Sequence, residues 1–181
     1  MNAPLVIVDL ETAGLGDDHA EIQVAAIAVV GWREVASFEA KIAFDERCAD
    51  PEALRINHYD AEVWKREAKP EGVVVAALAD FLRRYASIEK TSARTGRPYR
   101  VARIAGHNVA RFDGARLMRM FKRHDQFLPA ETYLPLDTLQ LALWRCALRG
   151  DRPASYRLED LCDYFGVEIG QAHDALADVR A

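Results

Sequence analysis

Asp9 and Glu11 stand one residue apart at the end of the apolar run Leu5-Val6-Ile7-Val8, so a strand here would send both carboxylates from the same face. Two acids on one side of a buried strand repel each other and are costly to take out of water. A hard divalent cation such as Mg²⁺, which prefers oxygen ligands, removes both costs. Taken alone, an acid pair at a strand end more often marks a solvated edge or a helix cap. Two further clusters supply what a metal site would still lack. They are Gly106-His107-Asn108-Val109-Ala110-Arg111-Phe112-Asp113 and Ala172-His173-Asp174-Ala175-Leu176-Ala177-Asp178.

In this order, Asp9-x-Glu11-Thr12-x-Gly14-Leu15, His107-Asn108-x-x-x-Phe112-Asp113 and His173-x-Ala175-x-x-Asp178 closely resemble the three motifs of the DnaQ-like (DEDDh) 3′-to-5′ exonucleases. The resemblance also takes in Leu136-Asp137-Thr138 and Leu158-Glu159-Asp160-Leu161 and runs essentially end to end. It implies an α/β ribonuclease-H-like fold, with a mixed central β-sheet flanked by helices. It further implies hydrolysis at the 3′ end of a single strand, releasing nucleoside 5′-monophosphates with the aid of two divalent ions, Mg²⁺ or Mn²⁺. In the family pattern Asp9, Glu11 and Asp178 hold one metal, and Asp9 reaches a second that Asp113 contacts largely through water. His173 takes the general-base position, where an imidazole with an ordinary pKa near ~6.5 is suited to accept a proton.

The same resemblance puts Thr12, Gly14, Leu15, His107, Asn108 and Phe112 on the substrate side. Gly14 and its neighbours would meet the terminal nucleotide, and Leu15 would be the apolar wedge between the last two bases. For His107 and Asn108, local hydrogen bonding at a strand-to-helix turn is a stronger reading than catalysis, and Phe112 serves equally well as an anchor for its helix. Ala13, where many relatives have a second Thr, and Gln23, where an acid is frequent, depart from the pattern without touching a ligand.

DNA is the favoured substrate, with an exoribonuclease of RNA ends or short oligoribonucleotides as the alternative within catalysis. From another class, the chain could be a proofreading subunit docked on a polymerase, or a homodimer. Five intact acid and histidine positions count against a purely binding role, and no Gly-rich Lys-Ser/Thr loop supports a P-loop enzyme.

A chain of 181 residues, half of them apolar, is ample for one core and short for two, so one domain over 1–181 is expected. No apolar stretch approaches bilayer length and no basic residues precede Leu5, so no membrane is expected and a cytoplasmic location is. Cys48, Cys146 and Cys162 are widely spaced and suggest neither disulfides nor zinc, with Cys146 and Cys162 read as core. The net charge of −4 hides an uneven distribution: residues 83–123 carry twelve Lys or Arg against Glu89 and Asp113, a local +10. Because this segment encloses His107 to Asp113, it is expected to steer a strand toward the site, with Arg94, Arg97 and Arg100 contributing.

The elements that must position these residues can be read from periodicity. Leu5 to Leu10, Glu21 to Val30 and Glu34 to Phe44 read as successive antiparallel strands. Asp50-Pro51 starts a short helix ending near Asn57, and Asp60 caps another through Arg66. Val74, Ala77, Leu78, Phe81 and Leu82 have helical spacing after Pro70, and Ser87 to Pro98 reads as a flexible loop. Arg100 to Ala105 is expected to be a strand delivering Gly106-His107-Asn108 to a helix with Asp113, Leu117, Met120 and Phe121. A short strand at Leu134-Pro135-Leu136 precedes a helix from Asp137 through Leu148. Leu158, Leu161, Cys162 and Phe165 form the face of a further helix stopped by Gly166, and the last helix begins at His173, with the chain stopping inside it.

Overall fold

The apolar run that ends in Asp9 and Glu11 forms the central strand of a six-stranded mixed sheet in the computed structural model, which describes residues 3–170 and 173–181. Ala172 of the third motif lies outside the described residues. Strands β1 (Leu5–Thr12), β2 (Glu21–Val30) and β3 (Arg33–Lys41) form an antiparallel meander. Three short helices follow or extend from it: α1 (Pro51–Ile56), α2 (Ala61–Glu67) and the longer α3 (Glu71–Arg84). Then come β4 (Ala86–Thr91), β5 (Pro98–Gly106), α4 (Asp113–Arg123), β6 (Ala130–Asp137), α5 (Thr138–Arg149), α6 (Leu158–Phe165) and α7 (Ala175–Asp178). β5 is the hub, parallel to β1 and β6 and antiparallel to β4. The mixed sheet with flanking helices is the α/β arrangement expected from the motifs.

Alternation along β1 decides where the carboxylates go. Val6, Val8 and Leu10 point into the main core with Val24, Ala26 and Ala28 of β2, beneath Leu78 and Leu82 of α3 and Leu117, Met120 and Phe121 of α4. Ile7 faces the other way, against Ala25 and Ile27 of β2 and Ala175 and Val179 around α7. Asp9 and Glu11 continue the Ile7 face, beside Ala25 and Gln23 of β2. The strand β2 reads as a nearly unbroken apolar run because both of its faces are covered.

Capping chemistry fixes the short helices. The Asp50 carboxylate accepts from the Glu52 amide at 2.9 Å, and Asp60 from the amides of Glu62 and Val63 at 2.9 and 3.0 Å. Gly150 and Gly166 end α5 and α6 in the left-handed conformation. Cys146 and Cys162 are buried, and Cys48 is exposed. No helix among the described residues is long and apolar enough to cross a membrane.

Three expectations need correction. Ser87 to Pro98 is not a loop: Ala86–Thr91 pairs with β5, and only the turn between Ser92 and Arg97 is irregular, closed by Gly96 at φ +68°. Charged side chains on this pair, including Lys90 and Arg100, mask the alternation in the way sheet-edge residues do. The third strand stops at Lys41 rather than Phe44, because Ile42 turns to bridge Lys69. The last helix spans only Ala175–Asp178, so His173 precedes it rather than beginning it.

Gly106 makes the key approach between strands. A Cβ there would lie 2.7 Å from the Val8 carbonyl oxygen and 3.1 Å from Val109 Cβ, so only glycine lets the end of β5 close on β1 just before Asp9. Gly106→Ala should therefore cost about 1–3 kcal/mol, the usual penalty for overpacking. A chemical denaturation midpoint equal to that of the parent would show that the strands relax freely.

Candidate active site

The carboxyl end of β1, the start of α4 and the approach to α7 meet at a cleft of about 680 Å³. Asp9 and Glu11 come from β1, Asp113 is the first residue of α4 and Asp178 the last of α7. Thr12, Gly14, Leu15, His107, Asn108, Phe112 and His173 line the same cleft. The structure thus brings to one place every motif residue given a role toward metal or substrate, while Ala175 packs against β2. Ligand atoms of Glu11, His173 and Asp178 lie within 4.8 Å of one another.

The acids are crowded and poorly solvated. Burial first, then the charges of Asp113, Glu11, Asp178 and Asp174, hold the Asp9 carboxyl well above the ordinary carboxylate range. Glu11 is pushed up to about 8 by burial, then by Asp178, Asp113 and Asp174. Burial pushes Asp113 up to about 7 against the lowering effect of amide donors from Asp113 itself and Leu10. Asp178 is raised by burial, with His173 opposing. Oδ1 of Asp113 and Oδ1 of Asp178 are both buried with no hydrogen-bond partner. Orphaned carboxylate oxygens facing further acids are the donor set that hard divalent cations take, so the residues fit such ions.

The histidines differ. His107 sets Nδ1 3.1 Å from Thr138 Oγ1 and Nε2 3.0 Å from the Tyr156 carbonyl, so both ring nitrogens are spent bracing β5 against α5 and the approach to α6. His173 is half exposed, with Nε2 2.9 Å from Glu159 Oε1. Its φ of +60°, like the +58° of Asn108, is a left-handed backbone that side chains other than glycine enter at a cost of about 1 kcal/mol or more. Asn108 is held there by Asp137, whose carboxylate accepts from the amides of Asn108, Ala110 and Leu139 at 3.1, 3.1 and 3.0 Å.

On the opposite wall the Thr12 hydroxyl donates to the Gly14 carbonyl at 2.9 Å, tying down the turn that presents Leu15, which is 89% exposed. Gly14 does not leave open space: a side chain there would overlap the His19 ring, so its lack of Cβ serves internal packing. Phe112 sits in the cleft with its ring under the Arg116 guanidinium, 4.7 Å away.

The cations of the basic segment do not line the cleft. β5 runs from Pro98 to Gly106, so the turn bearing Arg94 and Arg97 lies roughly 26 Å from the cleft at the rise of an extended strand. Arg83, Lys90, Arg100, Arg119 and Arg123 pair with Asp80, Glu131, Glu89, Asp17 and Glu21 respectively. Within the cleft lining, Asp9, Glu11, Asp50, Glu52, Asp113, Glu159 and Asp178 face one guanidinium, that of Arg157. Arg157, Tyr156 and Glu159 escaped the sequence reading as site residues. The signal available for them was their place beside the Leu158-Glu159-Asp160-Leu161 motif.

The RNase T exonuclease family model matches residues 97–181, a span that holds the second and third motifs. No curated protein matches the sequence. Among solved structures, exonuclease I in a study of how processivity is achieved superposes with a TM-score of 0.79 at 21% identity, covering 99% of this chain and 39% of that one. E. coli exonuclease I in complex with a dT13 oligonucleotide gives 0.77 at 22% identity, with 99% and 39% covered, and a zinc-bound E. coli exonuclease I complex with single-stranded DNA gives 0.78 at 22%, with 99% and 38% covered. The chain spans about two fifths of the length of these proteins. The resemblance drawn from the motifs is supported: residues 97–181 match the exonuclease family model, and the chain has the ribonuclease-H-like fold of the matched part of exonuclease I, including the strand with Asp9 and Glu11 that the family match leaves out.

A pH dependence follows with a definite sign. Glu11 and Asp113 bind protons more tightly folded than unfolded, so the stability of the metal-free protein should fall as pH rises from about 4.5 toward 8. Mg²⁺ should raise the melting temperature more at pH 8 than at pH 5, where protons must first be displaced. Thermal melts in chelator and in Mg²⁺ across this range check it, and a metal-free melting temperature that climbs from pH 5 to 8 would contradict the crowding of these acids.

Proposed function

We propose that this chain is a metal-dependent 3′-to-5′ exonuclease that hydrolyses the terminal phosphodiester of single-stranded DNA and releases nucleoside 5′-monophosphates. The observation that carries the proposal is the convergence of Asp9, Glu11, Asp113 and Asp178, from three separate elements, on one cleft where an oxygen of Asp113 and one of Asp178 are buried without partners. Asp9, Glu11 and Asp178 would hold one divalent ion, with Asp9 and Asp113 serving a second. When bound, two such ions supply positive charge to the attacking water and to the departing oxygen. An acidic cleft would otherwise repel a polyanion.

The chain's own residues do the rest. His173 stands at the cleft on the left-handed residue before α7; its Nε2 donates to Glu159, which orients the ring and leaves Nδ1 to take a proton from the attacking water. The new bond joins the water oxygen to phosphorus, and the bond to the 3′-oxygen of the penultimate nucleotide breaks, that oxygen leaving with a proton. Leu15, exposed at the cleft mouth, and Phe112 offer apolar surfaces to the last bases and sugar. DNA as substrate is supported by the likeness to exonuclease I bound to dT13 and to dA16.

Matched 5′-labelled DNA and RNA strands with Mg²⁺ or Mn²⁺ test the proposal. The DNA should shorten one nucleotide at a time from its 3′ end, a terminal 3′-phosphate should slow it strongly, and Asp178→Asn should abolish it. His173→Asn should lose roughly 10²- to 10⁴-fold in turnover, the range for a general base. Cutting of circular strands as fast as linear ones, or normal turnover in Asp178→Asn, would overturn the reading.

The placement of charge generates a second prediction. Arg157→Ala should raise KM and flatten its salt dependence, whereas Arg94→Ala, Arg97→Ala and Arg100→Ala combined should leave both near the parent values. An effect confined to the triple variant would restore the distant turn as the steering surface.

A further inference from the structure

Among the described residues Arg116 is the largest fully buried side chain, 1% exposed, yet it carries a permanent charge. A buried guanidinium is tolerated only where its N–H groups and charge are satisfied. Here Nη2 donates to the carbonyls of Gly16, Leu15 and Gly14 at 2.9, 3.2 and 3.4 Å, and Nη1 to the His19 carbonyl at 3.2 Å. Glu21, itself 2% exposed, supplies the counter-charge at 3.5 Å from Nη1. Four carbonyls of one short connection converge on one side chain.

Elsewhere that connection between β1 and β2 is held by the Thr12 hydroxyl on the Gly14 carbonyl at 2.9 Å and by the more exposed pair of Arg119 with Asp17 at 2.9 Å. Its backbone hydrogen bonds are Ala13 N to Ala20 O at 2.8 Å, Asp50 N to Ala13 O at 2.7 Å and His19 N to Gly16 O at 3.2 Å, and residues 15–18 are exposed. Arg116 sits one helical turn after Asp113 on α4, with its guanidinium over the Phe112 ring. The Arg116 guanidinium therefore links the backbone at Leu15 on one wall of the cleft to the helix of Asp113 and the Phe112 ring on the other.

We propose that Arg116 is a positioning residue for recognition of the nucleic-acid terminus, fixing the Gly14-Leu15-Gly16 turn so that Leu15 projects over the cleft. The proposal rests on the exonuclease reading, because it takes Leu15 and Phe112 as contacts to the strand. Lysine keeps the charge but offers a point ammonium in place of a planar fork, so it cannot span carbonyls from residue 14 to residue 19. Loss of the turn should weaken binding of the strand more than it slows the reaction of strand once bound.

The test uses the full chain with Arg116→Lys, Leu15→Ala and the double variant, with circular dichroism melts to establish folding. Affinity for a fluorescent single-stranded DNA is read by anisotropy in Ca²⁺, and KM and kcat are read with Mg²⁺. Arg116→Lys should weaken binding and raise KM about tenfold or more, with a much smaller change in kcat, and the double variant should be no worse than the more impaired single variant. Binding and KM equal to the parent, a loss confined to kcat, or effects of the two substitutions that add fully would overturn the proposal. If Arg116→Lys does not fold, a glycine inserted between Gly16 and Asp17 moves the same carbonyls while leaving Arg116 in place, and it should reproduce the KM effect. An unchanged KM in the insertion variant overturns the proposal equally. A folded parent that neither binds nor cleaves the strand defeats the exonuclease reading itself, which separates that failure from the failure of Arg116.

Discussion

Four carboxylates forced into one poorly solvated space set the terms for the rest of this structure. Asp9 and Glu11 share a strand face by the two-residue period of β structure, and α4 and α7 add Asp113 and Asp178 from either side. Burial drives each toward its protonated form, and neighbouring acids add to this at Asp9 and Glu11. A fold optimised for stability alone would not gather acids in this way, since any one of them could be replaced by a neutral side chain without leaving a charge unpaired. The arrangement becomes favourable when divalent cations neutralise it, and catalysis that needs such ions gives a reason to retain it.

The surrounding elements can be understood as the means of holding these acids in place. Val6, Val8 and Leu10 bind β1 into the main core, which prevents the strand from rotating its acidic face away. Gly106 lets β5 close on β1, and Asp137 holds the Asn108 turn that delivers Asp113. On the far side the small residues Ala25 and Ala175 let α7 approach the sheet closely enough for Asp178 to enter the cleft. Arg116 then joins the turn after β1 to the helix that bears Asp113.

Much of this was legible in the sequence because it is local. The strand faces, the caps at Asp50, Asp60 and Asp137, and the spacing within each motif depend on residues a few positions apart. What escaped depends on where distant segments meet. The pairing of Ala86–Thr91 was hidden because an edge strand bears charges that imitate a loop. The +10 segment was contiguous in sequence but is spread over two helices and two strands, so Arg94 and Arg97 end far from the cleft and Arg83, Lys90, Arg100, Arg119 and Arg123 in ion pairs. Arg116 looked like one more surface cation of that segment, and only the fold shows that it is buried among carbonyls. Arg157 and Glu159 enter the cleft because α6 packs beside it, a fact of tertiary arrangement whose one signal in the sequence was the Leu158-Glu159-Asp160-Leu161 motif.

The central claim is that these carboxylates form a cation site, and the most direct measurement is calorimetric titration of the protein with Mn²⁺ near pH 7 in two buffers of different ionisation enthalpy. The account predicts saturable binding of about two ions per chain, release of protons as Glu11 and Asp113 give theirs up, and loss of that binding in an Asp9→Asn, Asp178→Asn double variant. Absence of saturable binding, or binding that persists in the double variant with the same heat and proton release, would contradict it.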